Sequence, residues 1–165
     1  MYQLSQETPD DWWEVEALFD LCFAPGREAL SSYRLRDGVA PIAELCMVAR
    51  DADNVLAAAI RFWPVRIADQ PALLLGPIAV HPTRQGEGLG GFLIAECQVE
   101  ARQLGWDRML LVGDAPYYQR FGFRKLPGIV MPPPTNPDRV LGHDLTKGAW
   151  DNIDGLVQKY LKYEP

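Results

Sequence analysis

Hydrophobic and polar positions change their period several times along the chain, and each change marks an element. Gln3 to Thr8 reads as a short strand. Pro9 and the acidic pair Asp10-Asp11 open a helix that runs to about Phe23. Its apolar positions Trp13, Val15, Leu18, Phe19 and Cys22 follow the helical period, and the acids suit the positive end of the helix dipole. Of Trp12 and Trp13, one is expected in the core and one at the surface. Pro25-Gly26 ends the helix, and the polar stretch Arg27 to Ala40 reads as a second helix carrying Leu30, Tyr33 and Leu35. Ala43 to Arg50 and Val55 to Arg66 are β-type runs joined by the turn Asp51-Ala52-Asp53-Asn54. A third run, Ala72 to Val80, follows the turn Asp69-Gln70-Pro71. Three such strands with tight turns predict an antiparallel meander.

At His81-Pro82 the period changes. Thr83 to Gly91 is a Gly-rich loop, and a helix continues to about Leu104. Gly90, Leu93, Ile94, Cys97, Ala101 and Leu104 recur every three or four residues and form one buried stripe. Gly105 stops this helix. Arg108 to Val112 is then a strand parallel to the one before the helix, since a crossover joins them. Ala115 to Arg120 reads as a short helix ending at Gly122. The stretch through Pro132-Pro133-Pro134 and Arg139 to Leu145 reads as two more strands, and Ala149 to Tyr160 as a closing helix. The predicted class is α+β: a mixed, mainly antiparallel central sheet with one parallel βαβ pair, flanked by helices. With 165 residues, 48% of them hydrophobic, residues 1–165 are expected to form a single domain.

Composition narrows the function classes. A formal net charge of -6 disfavours nucleic-acid binding, which needs a basic face, and disfavours an anchor to anionic membranes. No apolar run is long enough for a membrane span, and the N-terminus has no basic patch followed by an apolar run. Cys22, Cys46 and Cys97 form no CxxC pair, and His81 and His143 are the only histidines. Neither a disulfide framework nor a metal centre is expected, and a cytoplasmic setting fits best.

The loop His81-Pro82-Thr83-Arg84-Gln85-Gly86-Glu87-Gly88-Leu89-Gly90-Gly91 carries the chemistry. Glycines let a ligand approach the backbone, and the first helical N–H groups point outward with the positive dipole end. Such a loop can hold a pyrophosphate. Gly86, Gly88 and Gly91 satisfy the dinucleotide pattern GxGxxG, with Asp107 about 20 residues on. That pattern should begin directly after a strand of a parallel sheet, whereas His81 to Gln85 intervene and antiparallel strands precede it. The stretch Gln85-x-x-Gly88-x-Gly90 after Ile78-Ala79-Val80-His81-Pro82 instead closely resembles the acetyl-CoA loop of the GNAT superfamily of N-acetyltransferases. Tyr117-Tyr118-Gln119-Arg120-Phe121-Gly122-Phe123 resembles that family's second motif at its usual distance. The resemblance covers residues 72 to 125 well, the N-terminal half through element order, and the C-terminal forty residues hardly at all.

The resemblance implies acetyl-CoA as co-substrate and direct acetyl transfer to an amine. Its pantetheine arm would lie between splayed strands along Ile78, Ala79 and Val80, and its pyrophosphate on Gln85, Gly86, Glu87, Gly88, Leu89, Gly90 and Gly91. Tyr118 would be the general acid for the departing thiolate, since a phenol near 10 can protonate a thiolate whose parent thiol is near 8.5. The bland alternative for Tyr118 is a buried aromatic with its hydroxyl on the backbone. Many family members carry a glutamate on the strand before the loop, where this chain has Leu75-Gly76-Pro77-Ile78-Ala79-Val80. The base is therefore open among Asp114, Glu44, His81 and a water chain. Cys97 is expected in the core rather than as a nucleophile. Arg61, Trp63 and Arg66 lie on the meander toward the expected acceptor side, where they would either shape a substrate site or merely alternate in and out of the sheet. The expected partner is a small-molecule or peptide amine, and a homodimer is compatible with it. Two other classes compete: a non-catalytic acyl-CoA-binding module, and a nucleotide-binding oxidoreductase. Residues 81–125 hold six basic and five acidic side chains, the remainder ten and seventeen, and that acidic remainder suits a cationic amine.

Overall fold

Two long strands carry the architecture. The computed structural model describes residues 1–23 and 31–161. Strand β1 (Gln3–Gln6), helix α1 (Trp12–Phe23) and the single turn α2 (Ser31–Arg34) precede β2 (Met47–Arg50), β3 (Leu56–Ile67) and β4 (Gln70–Val80). Helix α3 (Leu89–Gln103) crosses to β5 (Arg108–Val112). The short helix α4 (Ala115–Gln119) and strands β6 (Arg124–Lys125), β7 (Ile129–Val130), β8 (Val140–Asp144) and β9 (Gly155–Lys159) follow. The sheet runs β1-β2-β3-β4-β5-β8-β6, with β9 beside β3 and β7 beside β9. Neighbours on the main path are antiparallel except β4 and β5, which α3 connects; the short β7–β9 pair at the margin is also parallel. The mixed sheet with its helix-crossed parallel pair is the one the hydrophobic pattern predicts.

Both faces of the sheet are covered, so β3 reads as an almost unbroken apolar run. On one face Leu93, Ile94, Cys97 and Ala101 of α3 pack on Ile60, Phe62, Leu73, Leu75 and Met109. On the other, Val15, Leu18 and Phe19 of α1 pack on Val48, Ala59 and Ala79. A third cluster joins Val65, Leu74 and Leu110 to Leu126, Trp150 and Val157. Cys97 lies fully inside, where burial pushes its thiol up to about 12, so it is a core residue as expected.

Several local expectations change. The closing helix predicted over Ala149 to Tyr160 is instead a turn followed by β9. β2 pairs only with the Leu56–Ile60 half of β3. The main-chain groups of Val65 to Ile67 still need partners, and Val157 to Lys159 supply them. Trp150 anchors the preceding turn, its Nε1 donating to the carbonyls of Met109 and His143 at 3.2 Å. Trp12 and Trp13 are both exposed: the buried stripe of α1 starts at Val15, and the indoles pack edge to face on each other at 5.0 Å. Ala43–Leu45 forms a helical turn, so β2 starts later than predicted. Leu104 lies beyond the last turn of α3 and is exposed. Of the predicted second helix only Ser31–Arg34 is helical, and residues 24–30, with Pro25-Gly26 and Leu30, fall outside the described residues. Among the described residues no helix is long and apolar enough to cross a membrane.

One buried cation ties the N-terminal segment to the sheet. Arg61, on the α1 face of β3, donates to both oxygens of Glu7 at 3.0 and 2.9 Å and to Glu16 at 2.5 Å. Its guanidinium also lies 5.1 Å from the centre of the Phe19 ring. Removing the cation would leave two carboxylates facing each other in a site of low exposure. Arg61→Met should lower the unfolding free energy by about 3 kcal/mol, read from denaturant midpoints. Double replacement with Glu7→Gln should recover part of that loss.

Candidate functional site

The site begins where β4 leaves β5. The parallel ladder holds Leu73 to Met109 and Leu74 to Leu110 and goes no further. β5 keeps its pairing with β8 through Val112, so β4 is the strand that departs. Between the pairs Phe62–Leu75 and Ile60–Ile78, β4 takes three steps to two on β3, which makes a bulge at Gly76-Pro77. A bulge bends its strand and sharpens the twist, and Pro77 has no N–H for a ladder. Beyond the bulge, His81 N–H donates to the Ala57 carbonyl at 2.8 Å. The alternation of an antiparallel ladder then turns Ala79 toward β3 and the main-chain groups of Ile78 and Val80 toward the gap. The Val80 carbonyl accepts from the Gln85 side chain at 3.2 Å and from Cys22 Sγ at 3.5 Å.

The Gly-rich loop closes one end of that gap. Pro82–Arg84 forms a single turn capped by His81, and Gly88 caps α3. Gly86 and Gly88 have φ of +89° and +77°, a left-handed backbone that side chains with a Cβ resist. A Cβ on Gly91 would stand 2.8 Å from the Phe121 ring, so the start of α3 can lie directly on the turn that follows α4. The first N–H groups of the fifteen-residue α3 are thereby aimed at an open cleft of about 710 Å³. Ile78, Ala79, Val80, Gln85, Gly86 and Gly88 line it, and Leu89, Gly90, Gly91 and Tyr118 complete the set expected from the sequence. Glu87 is not on the lining; its carboxylate accepts from the Tyr2 hydroxyl at 2.5 Å. Tyr117, Phe121, Arg84 and Arg120 also line the cleft; Arg84 is ion-paired with Asp51 and donates to the Tyr2 hydroxyl at 3.3 Å, whereas the Arg120 guanidinium lies 5.1 Å from the centre of the Tyr117 ring. The sequence signal for Arg84 and Arg120 was their position inside the two motifs.

Asp114 caps α4 by accepting from the Tyr117 N–H at 3.3 Å, which sets the turn that presents Tyr118. The Tyr118 ring packs edge-on against Tyr117 and Phe123 at 4.9 and 5.9 Å and covers Gly113, where a Cβ would meet it at 2.5 Å. Among the described residues none hydrogen-bonds its hydroxyl, in contrast to a tyrosine satisfied by backbone. Burial, and next the neighbouring Tyr117, push the phenol up to about 12. Tyr118 also walls a second chamber of about 140 Å³, formed by Phe23, Ser32, Tyr33, Arg36, Leu111, Val112 and the bulge residues Leu75 to Ile78. A third cavity of about 560 Å³ shares Tyr33 and Arg36 with it and reaches Arg61 and Trp63. Arg66 is elsewhere, donating to the Ala68 carbonyl, because strand alternation puts it on the opposite face. None of Asp114, Glu44 and His81 lines the cleft or the chamber. Sequence reasoning did not single out Arg36; no motif surrounds it, and only the fold brings it to Tyr118.

If the loop conformation is required as described, Gly88→Ala should cost about 1 kcal/mol of stability. Gly91→Ala should cost more, since the Phe121 ring must move. Denaturant unfolding of the two variants measures both.

Comparison with known proteins agrees with this geometry. Residues 43–125 match the family described as the acetyltransferase (GNAT) domain. The N-acetyltransferase YhbS of Escherichia coli is 30% identical over 120 residues, 71% of this chain and 70% of that protein. The crystal structure of Escherichia coli YhbS in complex with CoA superposes with a TM-score of 0.82 at 25% identity, covering 96% of this chain and 89% of that one. A GNAT acetyltransferase from Brucella melitensis in complex with acetyl-CoA gives a TM-score of 0.73 at 27% identity, covering 97% and 96%. The departing strand, the Gly-rich turn into α3 and the matched span together place this chain in the GNAT acetyltransferase family.

Proposed function

We propose that residues 1–165 form a single N-acetyltransferase domain that moves the acetyl group of acetyl-CoA directly to a primary amine of a small molecule or peptide. One observation carries this reading: Tyr118 walls both the wide cleft under the Gly-rich loop and the small chamber behind it. A donor placed between two cavities suits a reaction between two substrates.

In this reading the pyrophosphate rests on the main-chain N–H groups of Gln85 to Gly91, with Arg120 as a flanking cation and Arg84 held beside it in its ion pair with Asp51. The pantetheine arm runs along Ile78, Ala79 and Val80 like an added strand, using the main-chain groups that Ile78 and Val80 turn to the gap. The bound co-substrate supplies an activated acyl group: the neutral amine attacks the thioester carbonyl, a C–N bond forms, the nitrogen gives up a proton to water, the C–S bond breaks, and the thiolate departs. Alignment across the gap contributes several kcal/mol as effective concentration. Tyr118 keeps its proton throughout the neutral range because its phenol is pushed up to about 12. Full transfer of that proton to an ordinary thiolate is uphill, so its main contribution is a hydrogen bond to sulfur as charge develops. The buried sulfur is desolvated by the same cleft, which raises its basicity and narrows the gap. The free cysteines Cys22, Cys46 and Cys97 suit a reducing cytoplasm.

The second reading is a non-catalytic acyl-CoA-binding module. The observation favouring it is that none of the three candidate bases lines either cavity. Calorimetry with acetyl-CoA and with NAD, followed by thiol release over a panel of amines, amino acids, polyamines and peptides, separates the possibilities. Acetyl-CoA binding with turnover is expected. Binding without turnover favours the module, and NAD binding without acetyl-CoA binding overturns both. Tyr118→Phe should lower kcat by about 10²-fold with little change in acetyl-CoA affinity. Because the phenol stays protonated, the pH profile of the remaining activity between about 6 and 9 should keep its shape; an unchanged kcat removes Tyr118 from the mechanism.

A further inference from the structure

The Gly-rich loop contains one acid, and that acid is turned out of the cleft. Every residue from Arg84 to Gly91 lines the cleft except Glu87. Gly86 and Gly88, both in left-handed backbone, flank it. The Glu87 carboxylate accepts from the Tyr2 hydroxyl at 2.5 Å, a contact between residues 85 positions apart. Two strands bring that hydroxyl to the loop. Gln3 of β1 pairs with Arg50 of β2, which brings Tyr2 and Asp51 together beyond the end of the ladder. The Tyr2 ring packs on the core cluster under α3. Asp51 is fixed in its own turn by accepting the N–H groups of Asp53 and Val55 at 2.9 Å, and it ion-pairs with Arg84. Nη1 of Arg84 in turn donates to the Tyr2 hydroxyl at 3.3 Å, which leaves the hydroxyl's own proton for Glu87. A cation on one side and a carboxylate on the other orient the hydroxyl, and hydrogen bonds to ionised groups are the stronger kind.

A loop that offers main-chain N–H groups to an anion loses affinity when a negative side chain stands nearby. Consecutive Cα atoms are about 3.8 Å apart. An anion on the N–H groups beside Glu87 therefore lies within one screening length, about 8 Å, of an unanchored Glu87 carboxylate. A pyrophosphate carries negative charge on each phosphate and feels that repulsion twice. Glu87 is exposed, so water screens the repulsion and sets its scale at a few-fold in affinity. Anchoring the carboxylate to a hydroxyl that comes from another part of the sheet removes it from the anion's side of the loop without removing the residue.

We propose that Tyr2 is a positioning residue for the anion site: its hydroxyl holds the Glu87 carboxylate out of the cleft, so that the loop meets a pyrophosphate with main-chain N–H groups and no negative side chain. This rests on the reading of the cleft as the acetyl-CoA site, and Tyr2 acts in it only through Glu87. The test compares the wild-type protein, Tyr2→Phe, Glu87→Gln and the double replacement, with acetyl-CoA dissociation constants from calorimetry at about 0.1 M and about 1 M salt. Tyr2→Phe should weaken acetyl-CoA binding about fivefold at the lower salt. At about 1 M, where the screening length falls to about 3 Å, the difference should shrink to less than about twofold. Glu87→Gln should bind acetyl-CoA at least as tightly as the wild type. Added to Tyr2→Phe it should restore binding, because the released side chain is then neutral. In thiol-release assays KM for acetyl-CoA should follow the same order, with the change confined to KM rather than kcat. A hydroxyl that only ties β1 to the loop predicts otherwise: Glu87→Gln weakens binding as Tyr2→Phe does, the double replacement is not rescued, and salt leaves the loss in place. Any of these results, or unchanged affinity in Tyr2→Phe, overturns the proposal. If Tyr2→Phe fails to fold, Glu87→Gln alone decides, and weaker binding than the wild type overturns it. A wild-type protein that binds no acetyl-CoA defeats the reading of the cleft itself, and this proposal with it.

Discussion

The site depends on one broken ladder. β4 and β5 share two parallel pairs at Leu73 and Leu74 and then separate, while β5 stays fully paired on its other side. A sheet interior does not ordinarily leave main-chain groups of adjacent strands unmatched, because an unpaired buried N–H or C=O costs free energy comparable to a lost hydrogen bond. The bulge at Gly76-Pro77 makes the separation local: it bends β4, removes one N–H from the accounting, and resets the register to β3. The gap thus presents the backbone of Ile78 and Val80 as an edge inside the molecule. Both cavities that meet at Tyr118 open along this gap.

Other features follow from filling or bounding that gap. Packing of α3 on the long β3–β4 pair fixes where its N-terminus points, and the turn after α4 lies close against it only because Gly91 leaves room for Phe121. The Asp114 cap sets α4, and α4 sets Tyr118. On the other face Arg61 joins β3 to the segment after β1 and to α1. Trp63, one alternation further along β3, supports Arg36. β3 therefore packs under α3 on one face, while on the other it packs under α1 and lines the outer cavity with Arg61 and Trp63.

Much of this was legible in the sequence, for identifiable reasons. The meander, α3 and β5 showed because their apolar periods are long and their breaks are marked by Pro82, Gly105 and the Asp51–Asn54 turn. The Gly-rich loop showed because its glycines allow close approach to the backbone and because it resembles a GNAT motif, and Tyr118 showed through its place in the second motif that the sequence resembles. β9 did not show: Leu156 to Lys159 has no strong period of its own and becomes a strand because Val65 to Ile67 need partners. Arg36 did not show either, since no motif surrounds it and only folding brings it into the wall of the chamber beside Tyr118. Glu87 was expected with its neighbours on the loop, yet its carboxylate turns away to Tyr2 and the residue does not line the cleft.

Amide hydrogen exchange with and without saturating acetyl-CoA tests the central claim most directly, because it reads main-chain groups rather than side chains. If the gap between β4 and β5 holds the co-substrate, amides at Ile78 to Val80 and Gln85 to Gly91 should exchange more slowly in the complex. Arg108 to Val112, already paired with β8, should change little. Tight binding that leaves Ile78 to Val80 unaffected, with protection appearing elsewhere, would contradict the account.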